Sequence, residues 1–207
     1  VATPQHVAAM LPARPSVGHK GTFGKAMIVA GSSNYVGAPA LAAEACYRVG
    51  AGLVTMGIPG SIQSMVAGRI AEATYLMLPH DMGAITERAV KIVADNLDGY
   101  DALLVGPGLG RESATGDFVA HLIGGSLPSA HRPVGFGAHP EPAHGSKVSL
   151  PPLVIDADAL NLLADQGDWW EQLRAPTVVT PHPGEMARLI GGQVEEALHA
   201  VRTGPAP

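Results

Sequence analysis

Short, continuous apolar runs alternate with helical stretches along most of the chain, and no other feature restricts its fold so strongly. KAMIVAG (25–31), LVTMGIP (53–59), ATYLML (73–78), DALLVG (101–106), PLVIDAD (152–158) and PTVVTPH (176–182) read as strands. GAPALAAEACYRVGAG (37–52), SIQSMVAGRI (61–70), ITERAVKIVADNL (85–97), TGDFVAHLI (115–123), ALNLLADQG (159–167) and GEMARLIGG (184–192) read as helices. Strands that are apolar throughout, rather than at every second residue, are buried on both faces. The expectation is an α/β fold with a mostly parallel central sheet flanked by helices. Thr3 followed by Pro4 reads as the N-cap and first position of a short helix reaching about Leu11. In the 37–52 helix, Leu41, Ala45 and Val49 share one face, with Gly50 and Gly52 as the stop.

Composition supports one large domain over 1–207: 46% of the 207 residues are hydrophobic, enough for a sizeable core. Alanine and glycine are abundant, as suits helices packed closely on a sheet. The net charge of −5 gives no reason to expect nucleic-acid or anionic-membrane binding. The single cysteine, Cys46, excludes an internal disulfide, and its apolar helical setting suggests a buried structural thiol. No run of 18 apolar residues suggests a transmembrane helix, and the first residues lack the basic and apolar regions of a secretory signal. A cytoplasmic protein is expected. Residues 124–152, rich in Pro, Gly, His and Ser without periodicity, read as a flexible surface insertion. Its His131, His139 and His144 offer adventitious metal binding at most, and a solvated loop is the simpler reading.

In an open parallel sheet, ligands bind outside the carboxyl ends of the strands. Following the strands come GSSNYVGAP (31–39), GIPGS (57–61), PHD (79–81), GPGLGR (106–111), DADALN (156–161) and TPHPGE (180–185). That edge therefore gathers glycine turns, acids, an amide and an imidazole, while the strand starts carry nothing comparable. GPGLG lets backbone approach a phosphate or nucleotide closely, but it lacks the G-x-G-x-x-G spacing of a dinucleotide fold. No P-loop and no G-x-S-x-G elbow occurs. Asp156 and Asp158 sit either side of a strand end with Asn161 one turn into the next helix, and Asp158 is a candidate helix cap. Pro183 suits a first helical turn, which makes His182 a cap and puts Glu185 at the third position, able to reach back to it. A purely structural junction needs no more. Glu185 is also placed to order a hydrated Mg2+ beside phosphates, as phosphoryl transfer requires.

HKGTFGKAMIVAGSSNYVGAPALAAEACYRVGAGLV (19–54), GPGLGR, DADALN and TPHPGEMARL (180–189) together resemble the ADP- or ATP-dependent NAD(P)H-hydrate dehydratases of the ribokinase-like superfamily. The similarity runs in order from the start to about residue 192, apart from 124–152. It implies a ribokinase-like fold and a repair reaction: an adenine nucleotide, ADP or ATP with Mg2+, phosphorylates the hydroxyl of hydrated NADH or NADPH (NADHX or NADPHX), and loss of phosphate restores the dihydropyridine. It further implies that Ala38, Gly108 and His182 contact the hydrated cofactor. Glu185, in an element that parallels the Asn-x-x-Glu of ribokinase-like enzymes, would order magnesium and phosphate. Gly106, Asp156, Asp158 and Asn161 would line the site, and no direct metal-ligand set is named. A homo-oligomer and a fusion to an NAD(P)H-hydrate epimerase domain are further implications. The family's nucleotide-binding Lys-Gly element and its GTGD-type turn, with the main catalytic aspartate, find no match after Gly192; the expectation is a C-terminally incomplete domain with little turnover of its own. Two alternatives stand beside this reading: a small-molecule kinase of the same superfamily, and a non-catalytic binding module.

Overall fold

A computed structural model describes residues 3–128, 148–195 and 198. Six strands, β1 (Lys25–Val29), β2 (Leu53–Pro59), β3 (Thr74–Leu78), β6 (Ala102–Val105), β7 (Leu153–Ile155) and β8 (Thr177–Val179), form one sheet in the order β3-β2-β1-β6-β7-β8, parallel at every pairing. Between them lie α2 (Gly37–Val49), α3 (Gln63–Ala67), α4 (Ala89–Asp95), α5 (Ser113–Ile123) and α6 (Asp158–Ala164), with α1 (Pro4–Met10) before β1 and α7 (Pro183–Leu189) after β8. The expected mostly parallel sheet flanked by helices is present, and β2 spans the very residues read as a strand.

The apolar strands divide their side chains between two cores, as burial on both faces demands. Met27 and Val29 of β1 join Leu103, Val105, Leu153 and Ile155 under α4, α5 and α6, where Phe118, Val119, Leu122, Leu160 and Leu163 are fully buried. Ile28 of β1 joins Val54, Met56 and Ile58 on the opposite face, against Ala40 and Ala43 of α2 and Val66 of α3. Burying such side chains stabilises the fold by roughly 1.5–3 kcal/mol each relative to exposure. Residues 3–10 match expectation in detail: Thr3 accepts a hydrogen bond from the His6 N–H and Pro4 opens α1, although no residue of α1 is buried.

Several expectations need correction. Leu41, Ala45 and Val49 do share a face of α2, but it is the solvent face; Pro39, Ala40 and Ala43 turn inward, because small residues let the helix lie close to the sheet. Cys46 on that helix is only half-buried. The 61–70 stretch forms a 3-10 turn over Gly60–Ile62 and then the short α3. The 85–97 stretch is helical only over α4, since Ile85 belongs to a hairpin of β4 (His80–Asp81) and β5 (Ala84–Ile85). The hairpin's two loop residues, Met82 and Gly83, both have positive φ (47° and 84°), the pattern of a type I′ turn. Sequence gave no Asn-Gly or Asp-Gly to announce it. Residues 129–147, with His131, His139 and His144, lie outside the described residues; Val148 donates its N–H to the Gly125 carbonyl at 3.1 Å.

Candidate functional site

Strand order reverses at the centre of the sheet. The chain leaves β1 toward β2 on one side, while β6, on the other side of β1, leads away to β7 and β8. A crevice therefore opens where the post-β1 and post-β6 loops diverge. Backbone hydrogen bonds join those loops: the Gly31 N–H donates to the Pro107 carbonyl at 2.8 Å and the Gly106 N–H to the Val29 carbonyl at 3.2 Å. Gly108 has φ +67°, and a Cβ there would stand 2.7 Å from the Tyr35 Cβ and 2.8 Å from the Ala38 Cβ. Only glycine fits without displacing backbone-borne atoms, so Gly108 and Ala38 are in direct apposition. Gly106, at φ +134°, has the Asp156 carbonyl where its Cβ would be.

The acids continue this surface. Asp158 Oδ2 accepts a hydrogen bond from the Gly110 N–H at 3.0 Å, which anchors the glycine loop to α6. The cap reading for Asp158 is thereby corrected: it is the first residue of α6, whose N-cap is Ala157, at φ 54° and without a side-chain cap. Likewise Asp156 and Asp158 both follow the end of β7 at Ile155 rather than straddling it. Asp156 Oδ1 accepts from Thr180 Oγ1 at 2.8 Å, joining the turns after β7 and β8. Asn161, 8% exposed, donates to the Ala157 carbonyl at 3.2 Å and accepts from Arg188 Nη1 of α7 at 2.8 Å.

At α7 the expected junction is formed. Pro183 occupies the first turn and His182 is the N-cap. His182 Nδ1 accepts from the Gly184 N–H at 3.0 Å and the Glu185 N–H at 3.4 Å, while Glu185 Oε2 accepts from the His182 N–H at 2.9 Å. This reciprocal capping box holds Glu185 at 6% exposure. Ala38, Gly106, Gly108, Asp156, Asp158, Asn161, His182 and Glu185 thus all lie at the carboxyl edge of the sheet. Thr180, Arg188 and Tyr35 were not singled out from the sequence: all three fall within the stretches named above, but nothing local told that Thr180 and Arg188 bridge elements or that Tyr35 lies against Gly108. Ser32, also overlooked, is 3% exposed in the post-β1 loop, and its Oγ has no hydrogen-bond partner.

The described residues include no group of three His, Cys, Asp or Glu able to hold a metal ion. Magnesium bound by an all-protein cage does not fit this donor set. Two hollows elsewhere, one among Tyr100, Asp98 and Pro151 ahead of β6 and β7, the other among Phe23, Arg14 and Val49 ahead of β2, lie at the opposite ends of the strands. Among the described residues, no helix is long and apolar enough to cross a membrane.

Comparison with known proteins agrees with this geometry. Residues 26–129 and 141–204 match the model of the NAD(P)H-hydrate dehydratase family. The bifunctional NAD(P)H-hydrate repair enzyme Nnr of Moorella thermoacetica is 38% identical over 182 residues, covering 87% of this chain and 30% of that protein. The ADP-dependent (S)-NAD(P)H-hydrate dehydratase of Bacillus subtilis is 27% identical, covering 94% of this chain and 57% of that protein. A crystal structure of the B. subtilis ADP/ATP-dependent enzyme, grown with ATP and Mg2+, superposes with a TM-score of 0.66 at 29% identity, over 95% of this chain and 58% of that one. A ribokinase-like protein from Enterococcus faecalis, at 23% identity and a TM-score of 0.63, shares the fold. The chain spans about a third of the length of the bifunctional relatives. It has a ribokinase-like α/β fold, and it belongs to the NAD(P)H-hydrate dehydratase family.

Proposed function

We propose that this chain carries the hydrate-binding side of a nucleotide-dependent NAD(P)H-hydrate dehydratase. The observation that supports it most is the apposition of Gly108 and Ala38 at the point where the strand order reverses, in a chain matched by the family over both loops. Gly108 and Ala38 together offer a small, flat surface against which a nicotinamide ring can lie. His182, with 63% of its side chain exposed, offers an imidazole to a polar group of the hydrate. Gly106, Asp156, Asp158 and Asn161 hold the loops in place through the contacts described above. Their work is positioning, which is most of what phosphoryl transfer asks of a protein.

The hydroxyl oxygen of the hydrate attacks the terminal phosphorus of ADP or ATP and loses its proton, and the bond from that phosphorus to the bridging oxygen breaks. The C–O bond of the phosphorylated hydrate then breaks, inorganic phosphate leaves, and a proton lost from the neighbouring carbon re-forms the dihydropyridine. Magnesium accompanies the nucleotide and neutralises phosphate charge. The same reading includes a cytoplasmic location, a homo-oligomer and fusion to an epimerase domain in the natural protein. The bifunctional relatives support the fusion, and the exposed Leu41 and Val49 on α2 are available to an interface.

The test is direct. NADHX, Mg2+ and ADP or ATP are mixed with this chain and, separately, with the natural protein at full length, and NADH absorbance is followed. A nucleotide-dependent rise with the full-length protein, and NADHX binding by both, are expected. If neither protein binds NADHX, the proposal is wrong.

A further inference from the structure

We infer that Glu185 is a positioning residue for His182: it fixes which imidazole nitrogen carries the proton, and so sets the hydrogen-bonding character of the ring exposed at the carboxyl edge of the sheet. The inference rests on the proposed role of His182 as a substrate contact.

Two contacts select the same tautomer independently. Nδ1 accepts from the N–H groups of Gly184 and Glu185, at 3.0 and 3.4 Å. A nitrogen that accepts holds a lone pair, so the proton of the neutral ring sits on Nε2. Glu185 Oε1 lies 3.2 Å from Nε2, and a carboxylate oxygen at that distance favours N–H over a second lone pair. The opposite tautomer would set N–H against two N–H groups at one nitrogen and lone pair against carboxylate at the other. Glu185 is itself held still, because its other oxygen accepts from the His182 backbone N–H at 2.9 Å and its side chain is only 7% exposed. Both of its oxygens are thus engaged with His182, and the exposed member of the pair is the imidazole.

His19 gives an internal comparison. It too caps a turn, with Nδ1 accepting from the Gly21 N–H at 3.1 Å, and Thr22 Oγ1 accepting from the His19 N–H at 3.2 Å. The third position there is a threonine, so no carboxylate stands beside the ring. The same local fold therefore occurs twice, and the acid is added only where the imidazole faces the carboxyl edge of the sheet. Carboxylate partners set ring orientation and tautomer in the same way where histidines bind metals.

The test combines nitrogen NMR of the histidine-labelled chain with NADHX titration. At a pH where the nitrogen shifts themselves show a neutral ring, His182 is expected as the Nε2–H tautomer. In Glu185→Ala the tautomers should mix, and NADHX affinity should fall about tenfold, to the level of His182→Ala, with the double variant no weaker than either single one. Glu185→Gln keeps an acceptor for the backbone N–H and so preserves α7, but its amide NH2 then faces Nε2, so the tautomers should mix and binding should weaken as in Glu185→Ala. The inference fails if the parent shows Nδ1–H at His182. It also fails if Glu185→Gln binds NADHX normally yet abolishes phosphoryl transfer in the full-length protein, which would place Glu185 at the phosphates instead. Absence of NADHX binding by the parent would defeat the substrate reading, and the tautomer measurement would still decide the role of Glu185.

Discussion

At the scale of single residues, Gly108 is among the constrained positions of the site. A Cβ would meet two other Cβ atoms below 3 Å at a φ of +67°. Gly108→Ala should cost about 1–3 kcal/mol of stability, read from the shift of a urea transition, and should weaken NADHX binding further, because Ala38 must move. Cys46 behaves differently. Burial raises its thiol pKa above the ordinary cysteine value, so the neutral form persists to higher pH than in an unfolded chain. The sign follows: the contribution to stability is present below the unfolded pKa and is lost as pH rises through the folded one. Alkylation by iodoacetamide near neutrality should be slower than for the urea-unfolded chain, and equal rates would contradict the burial argument. Glycines 106 and 108 were legible as close-approach positions from spacing alone. Which residues they approach was not, because Tyr35 and Ala38, beside Gly108, come from a loop some 70 positions earlier, and Asp156, beside Gly106, from a turn some 50 positions later.

At the scale of elements, α6 and α7 are coupled by one amide. Arg188→Ala would leave the Asn161 Oδ1 without its partner at 8% exposure, and a loss of about 1–3 kcal/mol in denaturant unfolding is expected. Asp158→Ala removes the acceptor of the Gly110 N–H and should loosen the glycine loop, visible as faster amide exchange over 106–111. The strands were legible because a strand buried on both faces has no polar side to confuse the pattern. Helix faces were less so. In α2 the periodicity of the larger residues marked a real face but the wrong one, since the sheet side is lined with alanine and proline. The β4–β5 hairpin escaped notice because methionine, not asparagine or glycine, takes the first left-handed position of its turn. Ala157, also at positive φ, carries no compositional sign of its conformation.

At the scale of the whole molecule, hydrogen exchange should rank the parts. The central β1, β2 and β6 should exchange most slowly, and α1, with no buried residue, most rapidly. Equal protection of α1 and β1 would mean that α1 is covered in solution. The location of the site at the carboxyl edge was readable from the list of post-strand turns, whereas the strand order that places the post-β1 and post-β6 loops side by side is a long-range property that no local pattern encodes. That adjacency has a consequence for change over generations. The two loops are joined through main-chain atoms, Gly31 to Pro107 and Gly106 to Val29, so the seam does not depend on the exposed side chains of Asn34, Tyr35 and Arg111. Substitution at those three positions leaves the scaffold beneath as it is, which makes this edge a changeable surface carried on a seam of backbone hydrogen bonds.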